Sequence, residues 1–201
     1  MINIKDIIKR IIGYKNPIQK LVASGHILIG KNSDVSGLKV IIRKKTDKLF
    51  LKIGDHSTVN GTFVFERENA YIEIGSNTFI GGCMLVSAEK IEIGDDVMFS
   101  WGCTVSDTDA HSTKWEERKN DVRDWKKGLD EKKEGTYKDW AYVKTKPVLI
   151  KNKCWIGFNA IVLKGVVLSE ECVVGAGSVV SRSFDKASIL AGNPASLIKN
   201  K

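Results

Sequence analysis

The segment from residue 150 to residue 185 reads IKNKCW IGFNAI VLKGVV LSEECV VGAGSV VSRSFD, which is six consecutive hexapeptides. The first residue of each is β-branched or leucine, and five of the six fifth residues are small or β-branched. An aliphatic residue at every sixth position is neither a helical period nor the alternation of an ordinary strand. The pattern favours short strands joined by tight corners around a narrow interior. The first positions are Ile150, Ile156, Val162, Leu168, Val174 and Val180, and the fifth are Cys154, Ala160, Val166, Cys172, Ser178 and Phe184.

Shorter runs of the same pattern lie upstream, and glycine often follows the aliphatic residue because it tolerates close backbone approach. Two regions depart from the repeat. Residues 23–52 contain only strand-like fragments, from which we expect irregular first coils. The repeat also breaks between Val105 and Pro147, which predicts a long loop excursion over residues 107–147. The upstream hexapeptides begin at Ile53, Val59, Ile74, Ile80, Ile93, Phe99 and Val105.

The N-terminal residues 1–22 are predicted to be a helical segment, followed by one β-helix domain over residues 23–201. Isoleucines at positions 4, 7, 8, 11 and 12 fall on one helical face, which would pack on the rest of the protein. A helix lying on a membrane surface is the alternative, so peripheral membrane contact stays open. No apolar run is long enough for a signal peptide or a membrane span, and we predict a cytoplasmic protein.

The size, net charge and cysteine content of the chain limit the kinds of protein that it can be. A chain of 201 residues with 42% hydrophobic content suits one soluble domain. The net charge of +8 is spread along the chain, which argues against nucleic acid and fits a phosphorylated ligand. None of the four cysteines forms a CxxC pair, so neither zinc nor redox chemistry is indicated. Cys103, Cys154 and Cys172 occupy fifth positions, which predicts buried thiols that fill the core.

The excursion begins with SDTDAHS, the stretch richest in candidate catalytic groups. An imidazole can take up a proton near neutral pH, and a carboxylate can fix its tautomer. His111 follows Asp107 and Asp109, whereas His56 sits at an outward repeat position and His26 precedes the repeats. The rest of the excursion mixes dense charge with five aromatic residues. Either it is a surface loop anchored by its tryptophans, or it closes over a ligand.

These motifs together resemble the hexapeptide-repeat acyltransferases, and most closely the bacterial polysaccharide and sugar O-acetyltransferases. SDTDAHS is similar to their active-site segment, and KPVLIKNKCWIG (146–157), VGAGSVV (174–180) and AGNPA (191–195) match motifs that follow it. The resemblance covers roughly residues 50–198. It implies an all-β fold, a left-handed parallel β-helix of hexapeptide repeats with an N-terminal helix and a long loop excursion. It also implies a homotrimer with active sites between subunits.

The resemblance assigns roles residue by residue. His111 would be the general base, oriented by Asp107 or Asp109. Acetyl-CoA would be the acetyl donor and a small-molecule sugar the acceptor, with no metal required. Trp155, Gly157 and Ala176 would line the path of the pantetheine arm, the last two through backbone groups. Arg182 and Lys199 would meet the CoA phosphates.

Several alternatives stay open at this point. The acceptor could instead be the amine of an amino sugar, or a serine or drug hydroxyl. A non-catalytic hexapeptide scaffold is less favoured. A zinc enzyme of the carbonic anhydrase kind would need His26, His56 and His111 to converge, and their wide spacing argues against it.

Overall fold

The computed structural model describes residues 17–201, which form a prism of stacked coils joined by parallel strand pairs. Each complete coil contributes one strand to each of three faces. The helices are α1 (Pro17–Ala23), α2 (Trp115–Arg118) and α3 (Asp121–Asp130). The strands are β1 (Ile27–Ile29), β2 (Leu38–Ile42), β3 (Leu51–Ile53), β4 (Thr58–Phe65), β5 (Tyr71–Ile74), β6 (Phe79–Ser87), β7 (Lys90–Ile93), β8 (Met98–Phe99), β9 (Thr104–Ser106), β10 (Val148–Ile150), β11 (Trp155–Ile156), β12 (Ile161–Val162), β13 (Val167–Leu168), β14 (Val173–Val174), β15 (Val179–Val180), β16 (Ser188–Gly192) and β17 (Ala195–Asn200).

The three faces follow from the strand pairing. Face 1 runs β1-β3-β5-β7-β10-β13. The long strands β4 and β6 turn a corner, so their first halves belong to face 2 and their second halves to face 3. Face 2 continues through β8, β11, β14 and β16, and face 3 contains β2, β9, β12 and β15. The 2–3 corner and the 3–1 corner are named here for the faces that they join.

The predicted first positions form the core, because each stacks on its equivalent in the next coil. On face 1, Ile53, Ile74, Ile93, Ile150 and Leu168 lie in one register column, and all are buried. All four cysteines are buried with free thiols, as expected of core residues. The strand-like fragments before residue 52 also join the coil, since β1 pairs with β3 and β2 pairs with β4.

One corner of each coil requires a left-handed backbone. The third residue after each face 1 strand has a φ near +55 to +60°, a conformation that asparagine and aspartate tolerate better than most residues. His56 occupies this corner and is exposed, as its outward repeat position predicts. The six residues are Asn32, His56, Asn77, Asp96, Lys153 and Glu171.

Two predicted features are more helical than expected. The excursion leaves after β9 and returns at β10, so it occupies the predicted residues 107–147, but it contains α2 and α3. It is therefore not a plain loop, because α3 is amphipathic and its Trp125 ring lies 4.8 Å from the Arg43 guanidinium of the prism. Helix α1 crosses the predicted boundary at residue 22, and the rest of the predicted N-terminal helix lies outside the described residues.

Candidate active site

Backbone hydrogen bonds fasten the excursion at its base. The Asp109 N–H donates to Lys144 O at 3.0 Å, and the Lys146 N–H donates to Asp107 O at 2.9 Å. Thr108 and Thr145 form an antiparallel bridge between these two bonds. The two ends of the excursion thus form a short ladder, which places His111 one turn beyond a rigid anchor.

His111 lies against two polar residues from farther along the excursion. Its Nδ1 is 2.5 Å from Asp121 Oδ2 and 3.1 Å from Lys138 Nζ. Asp121 is the first residue of α3, and Lys138 lies 3.3 Å from the same carboxylate oxygen while donating to the Ala110 carbonyl. The side chains of Asp121 and Lys138 are 8% and 3% exposed, whereas that of His111 is 55% exposed. A buried ion pair therefore holds an open imidazole.

This network favours one imidazole tautomer. The short contact to Asp121 requires a proton between Nδ1 and the carboxylate, so Nδ1 is the protonated nitrogen of the neutral ring. Lys138 then acts on the aspartate and the Ala110 carbonyl, because an ammonium cannot donate to a protonated Nδ1. Nε2 keeps its lone pair, which is the arrangement that a general base needs.

His111 opens onto a cleft between α3 and the 3–1 corner. The cleft has a volume of about 470 Å³. One wall is apolar and belongs to the excursion, while the floor carries charged groups from both the prism and the excursion. The cations of the prism also hold the excursion, since Arg43 lies 4.8 Å from the Trp125 ring and pairs with Glu134. The lining residues are Arg43, Glu66, Ala110, His111, Asp121, Val122, Trp125, Lys126, Leu129, Lys138 and Trp140.

Asp107 does not contact His111 among the described residues, because its carboxylate points into the 3–1 corner. The side chain is fully buried and accepts three hydrogen bonds: from Ser87 Oγ at 2.9 Å, the Ala88 N–H at 2.6 Å and the Glu89 N–H at 2.9 Å. Burial raises the pKa of Asp107, and these hydrogen bonds oppose that rise. The geometry gives Asp107 a structural role and does not support its predicted role in orienting His111.

We expect Asp107→Ala to lower the free energy of unfolding by roughly 2–4 kcal/mol, because a buried N–H group, a partly buried N–H group and a buried hydroxyl lose their acceptor. Urea denaturation followed by circular dichroism measures this change. Asp109→Ala is the matched control, since Asp109 is exposed, and it should change stability by less than about 0.5 kcal/mol. Equal midpoints for Asp107→Ala and the parent would contradict this role.

Asp109 also does not orient the imidazole in this structure. Its carboxylate lies 3.4 Å from Lys164 Nζ, and only its backbone carbonyl meets His111, accepting that residue's N–H at 2.6 Å. The carboxylate that contacts the ring comes instead from Asp121, ten residues after the histidine. The structure therefore does not bring the carboxylates of Asp107 and Asp109 to the ring as predicted, and Asp121 occupies the orienting position instead.

Two of the residues predicted to bind CoA share a row of face 2. Trp155 pairs in register with Val173, Val173 with Ile189, and Ile189 with Lys199. The Trp155 ring is half-exposed, and its Nε1 donates to Ser100 Oγ at 3.3 Å. Lys199 is exposed on the final strand, β17. The row thus carries the indole of Trp155 on β11 and the ammonium group of Lys199 three strands away on β17.

Gly157 and Ala176 lie next to each other at the 2–3 corner. A Cβ on Gly157 would lie 2.7 Å from Ala176 N and 2.8 Å from Val174 O, so coil packing explains the glycine. The Gly157 N–H donates to Val174 O and its carbonyl accepts from the Ala160 N–H, so both backbone groups predicted to meet pantetheine also take part in hydrogen bonds of the coil. The Ala176 N–H has no acceptor within residues 17–201 and stays open to a ligand.

Arg182 lies on a different edge, following β15 at the 3–1 corner two coils beyond the excursion. Its guanidinium lies 5.3 Å from the Phe184 ring. The structure thus brings Trp155, Gly157, Ala176 and Lys199 to face 2 and the 2–3 corner, with His111 at the 3–1 corner. No contact within the described chain joins His111 to these four residues.

Three residues of the cleft were missed by the sequence reasoning: Asp121, Lys138 and Glu66. Asp121 and Lys138 were hidden in a charge-rich run that is typical of a solvated surface. One signal was present, since VRDWKKGL carries an apolar stripe at Val122, Trp125 and Leu129, and an amphipathic helix beginning at Asp121 faces a partner on one side. Glu66 directly follows a strand of an upstream coil, and sequence separation gives no hint that it lies near the excursion.

The three histidines lie in separate parts of the structure. His26 is held between Ser24 Oγ at 2.7 Å and Thr46 O at 3.0 Å, and His56 lies at an outward corner. Within residues 17–201, no three His, Cys, Asp or Glu side chains are grouped closely enough to hold a metal ion.

In the same part of the chain, no helix has the length and apolar character needed to cross a membrane.

Comparison with known proteins finds sequence similarity to proteins named acetyltransferases. It is 24% identical over 193 residues to a probable acetyltransferase of Mycobacterium tuberculosis, covering 96% of this chain and 56% of that protein. It is 27% identical over 156 residues to galactoside O-acetyltransferase of Escherichia coli, covering 71% of this chain and 66% of that protein. The chain thus spans about half to two thirds of the length of these relatives. No family model matches the chain.

Among solved structures, the fold is similar to that of AntD, an N-acyltransferase from Bacillus cereus, in complex with dTDP and coenzyme A. The TM-score is 0.64 at 21% identity, covering 93% of this chain and 90% of that one. This likeness confirms the predicted left-handed parallel β-helix. By fold, and by sequence similarity to proteins named acetyltransferases, the chain resembles the hexapeptide-repeat acyltransferases, as its motifs indicate.

Proposed function

We propose that the protein transfers an acetyl group from acetyl-CoA to a hydroxyl of a sugar or polysaccharide precursor. The observation that carries this proposal is His111, whose Nδ1 is engaged by Asp121 and whose Nε2 is left open in a cleft with tryptophan walls. Planar indole faces suit the C–H faces of sugar rings. Relatives named acetyltransferase, one of them acting on galactosides by name, support the same reaction.

In the proposed step, the acceptor oxygen attacks the thioester carbonyl carbon. His111 Nε2 takes the hydroxyl proton as the new C–O bond forms, and Asp121 stabilises the resulting imidazolium. The C–S bond then breaks, and the proton passes to the departing CoA thiolate. Acetyl-CoA is already activated, so the protein's main tasks are to position two substrates and to stabilise the oxyanion with N–H donors.

The test is a screen of acceptors with acetyl-CoA, in which released CoA is detected as free thiol. Neutral sugars, amino sugars, nucleotide sugars and serine are compared at equal concentration. Thiol release that depends on a hydroxyl-bearing sugar supports the proposal, and mass spectrometry of the product locates the new ester. Absence of acceptor-dependent release with every compound would contradict it and favour a non-catalytic scaffold.

N-acetylation of an amino sugar is the second candidate. It is favoured by the fold likeness to AntD, an N-acyltransferase also solved with dTDP-4-amino-4,6-dideoxyglucose and coenzyme A. The same base could serve, because an amine must also lose a proton during acyl transfer. The screen separates the two candidates, since an amide product survives mild alkaline hydroxylamine whereas an ester does not.

We further propose a homotrimer that completes each site between two subunits. His111 lies at the 3–1 corner, whereas the residues expected to hold pantetheine lie on face 2 and the 2–3 corner. Two copies side by side would bring these edges together. Face 2 also exposes an apolar row, Phe79, Met98 and Trp155, in register across three coils. Such a row is typical of surfaces that another protein covers.

We expect sedimentation equilibrium in dilute buffer to give about three times the chain mass of 22.3 kDa. Replacing an apolar residue of the row by a charged one, as in Met98→Glu, should dissociate the assembly because the charge would be buried between subunits. Thr113→Glu, on the exposed part of the excursion, is the control and should keep the parent mass. A parent protein that sediments at the mass of one chain would overturn the trimer.

A further inference from the structure

Glu66 places a carboxyl group in the floor of the cleft, and in the described part of the chain one of its oxygens has no hydrogen-bonding partner. The residue directly follows β4, and its N–H donates to Ser87 O at 2.8 Å, so the backbone is fixed by the coil. The residue is 9% exposed and lines the same cleft as His111. Within residues 17–201, Glu66 Oε2 is buried and receives no hydrogen bond. An unpaired buried carboxylate is costly, and such groups are usually completed by a ligand or water.

Within residues 17–201, the neighbouring cations make their side-chain hydrogen bonds and ion pairs to groups other than Glu66, and the buried Nε atoms of Arg43 and Arg67 also have no partner. Lys138 Nζ donates to the Ala110 carbonyl and lies 3.3 Å from Asp121 Oδ2. Arg43 pairs with Glu134 and stacks over Trp125, and Arg67 Nη2 donates to Val143 O at 2.8 Å. Burial raises the pKa of Glu66, while the positive charges of Lys138, Arg43 and Arg67 oppose that rise. Glu66 therefore lies in the field of nearby positive charges, but no donor of residues 17–201 forms a hydrogen bond with its buried Oε2.

The opposite wall of the cleft has the complementary character. Val122 and Leu129 are exposed on the cleft side of α3, Val122 by 82%, and Trp125 and Trp140 line the same wall. An exposed apolar wall facing an unpaired carboxylate suits a ligand with an apolar face and hydrogen-bond donors at its edge. A pyranose ring has both, because its axial C–H groups form a face and its hydroxyls project around it.

We propose that Glu66 is an acceptor-recognition residue, whose carboxylate accepts a hydrogen bond from a ring hydroxyl neighbouring the one that is acetylated. The inference rests on the proposed function for the identity of the reacting hydroxyl. The sugar ring lies against the excursion wall, with one hydroxyl at His111 Nε2 and another at Glu66. Glu66 thereby sets which hydroxyl of the ring reaches the base.

The first test uses Glu66→Gln, which keeps the size of the side chain and removes its charge. The acceptor KM should rise roughly 10- to 100-fold, as expected for a lost hydrogen bond to a charged group. The KM for acetyl-CoA should stay within about twofold. Glu68→Gln, at an exposed carboxylate two residues away that does not line the cleft, is the control and should leave both values unchanged.

Deoxy analogues of the best acceptor make the test specific. The parent should discriminate against the analogue that lacks the recognised hydroxyl, and Glu66→Gln should treat that analogue and the full sugar alike. A purely structural role for Glu66 would not produce this selective loss. The thermal midpoint of Glu66→Gln should equal or exceed that of the parent, because an unpaired buried charge is removed. If Glu66→Gln keeps the parent's acceptor KM and its discrimination, the inference is overturned.

Sugar binding without turnover separates this inference from the proposed function. Trp125 and Trp140 line the cleft, so their fluorescence should change when the sugar binds to the parent. The affinity should fall by the same factor in Glu66→Gln. If the parent binds the sugar through Glu66 but transfers no acetyl group, the proposed function fails and the recognition role stands. If no sugar binds to the parent, or all bind equally to Glu66→Gln, the recognition role fails.

Discussion

Replacing His111 by alanine should lower kcat roughly 10²- to 10⁴-fold, which corresponds to about 3–5 kcal/mol of activation free energy. The acceptor hydroxyl loses the group that takes up its proton, while the substrates keep their binding surfaces. The fold should persist, because the imidazole is more than half exposed and lies outside the core columns. Steady-state kinetics with acetyl-CoA and the best acceptor measure the change.

Two measurements make the His111 result decisive. Added imidazole should restore part of the activity of His111→Ala, because the open cleft leaves room for a soluble base next to Asp121. His56→Asn is the control, since His56 lies at an exposed left-handed corner that asparagine tolerates, and its activity should match the parent. Activity of His111→Ala within a few-fold of the parent, with CoA affinity and oligomer mass unchanged, would refute the proposed base.

The coils of the prism could be predicted from the sequence because a single six-residue repeat determines which side chains are buried. Positions Ile150, Ile156 and Val162 are buried on three different faces because each coil uses three hexapeptides. The same rule explains the buried cysteines at fifth positions. The limits of the excursion were predictable for the same reason, since a break in the period marks where the chain leaves the prism.

The interior of the excursion could not be predicted in the same way. No repeat constrains residues 107–147, so contacts there depend on long-range packing, such as that of Arg43 on Trp125 and of Arg67 on Trp140. The SDTDAHS segment directs attention to His111 as a candidate, but proximity in sequence suggests Asp107 or Asp109 as its partner, whereas the structure places Asp121 against the ring. Three hydrogen bonds hold the Asp107 carboxylate in the 3–1 corner. The carboxylate that contacts the His111 ring belongs to Asp121, the first residue of α3.

Asp121→Asn should lower kcat by about 10²-fold, because it changes the tautomer of the His111 ring and removes the negative charge that stabilises the imidazolium. The amide of asparagine can donate to Nδ1, which would move the ring proton to Nε2 and leave the base unable to accept a proton. Lys138 would lose its anionic partner while buried, so we expect the protein to be less stable by several kcal/mol. Kinetics are therefore measured below the thermal transition of the variant, with CoA affinity as a check on folding.

Asp109→Asn is the matched control, because Asp109 contacts Lys164 and not the ring, and its kcat should stay within a few-fold of the parent. A greater loss of kcat in Asp109→Asn than in Asp121→Asn would show that the contact of Asp121 with His111 does not orient the base during catalysis.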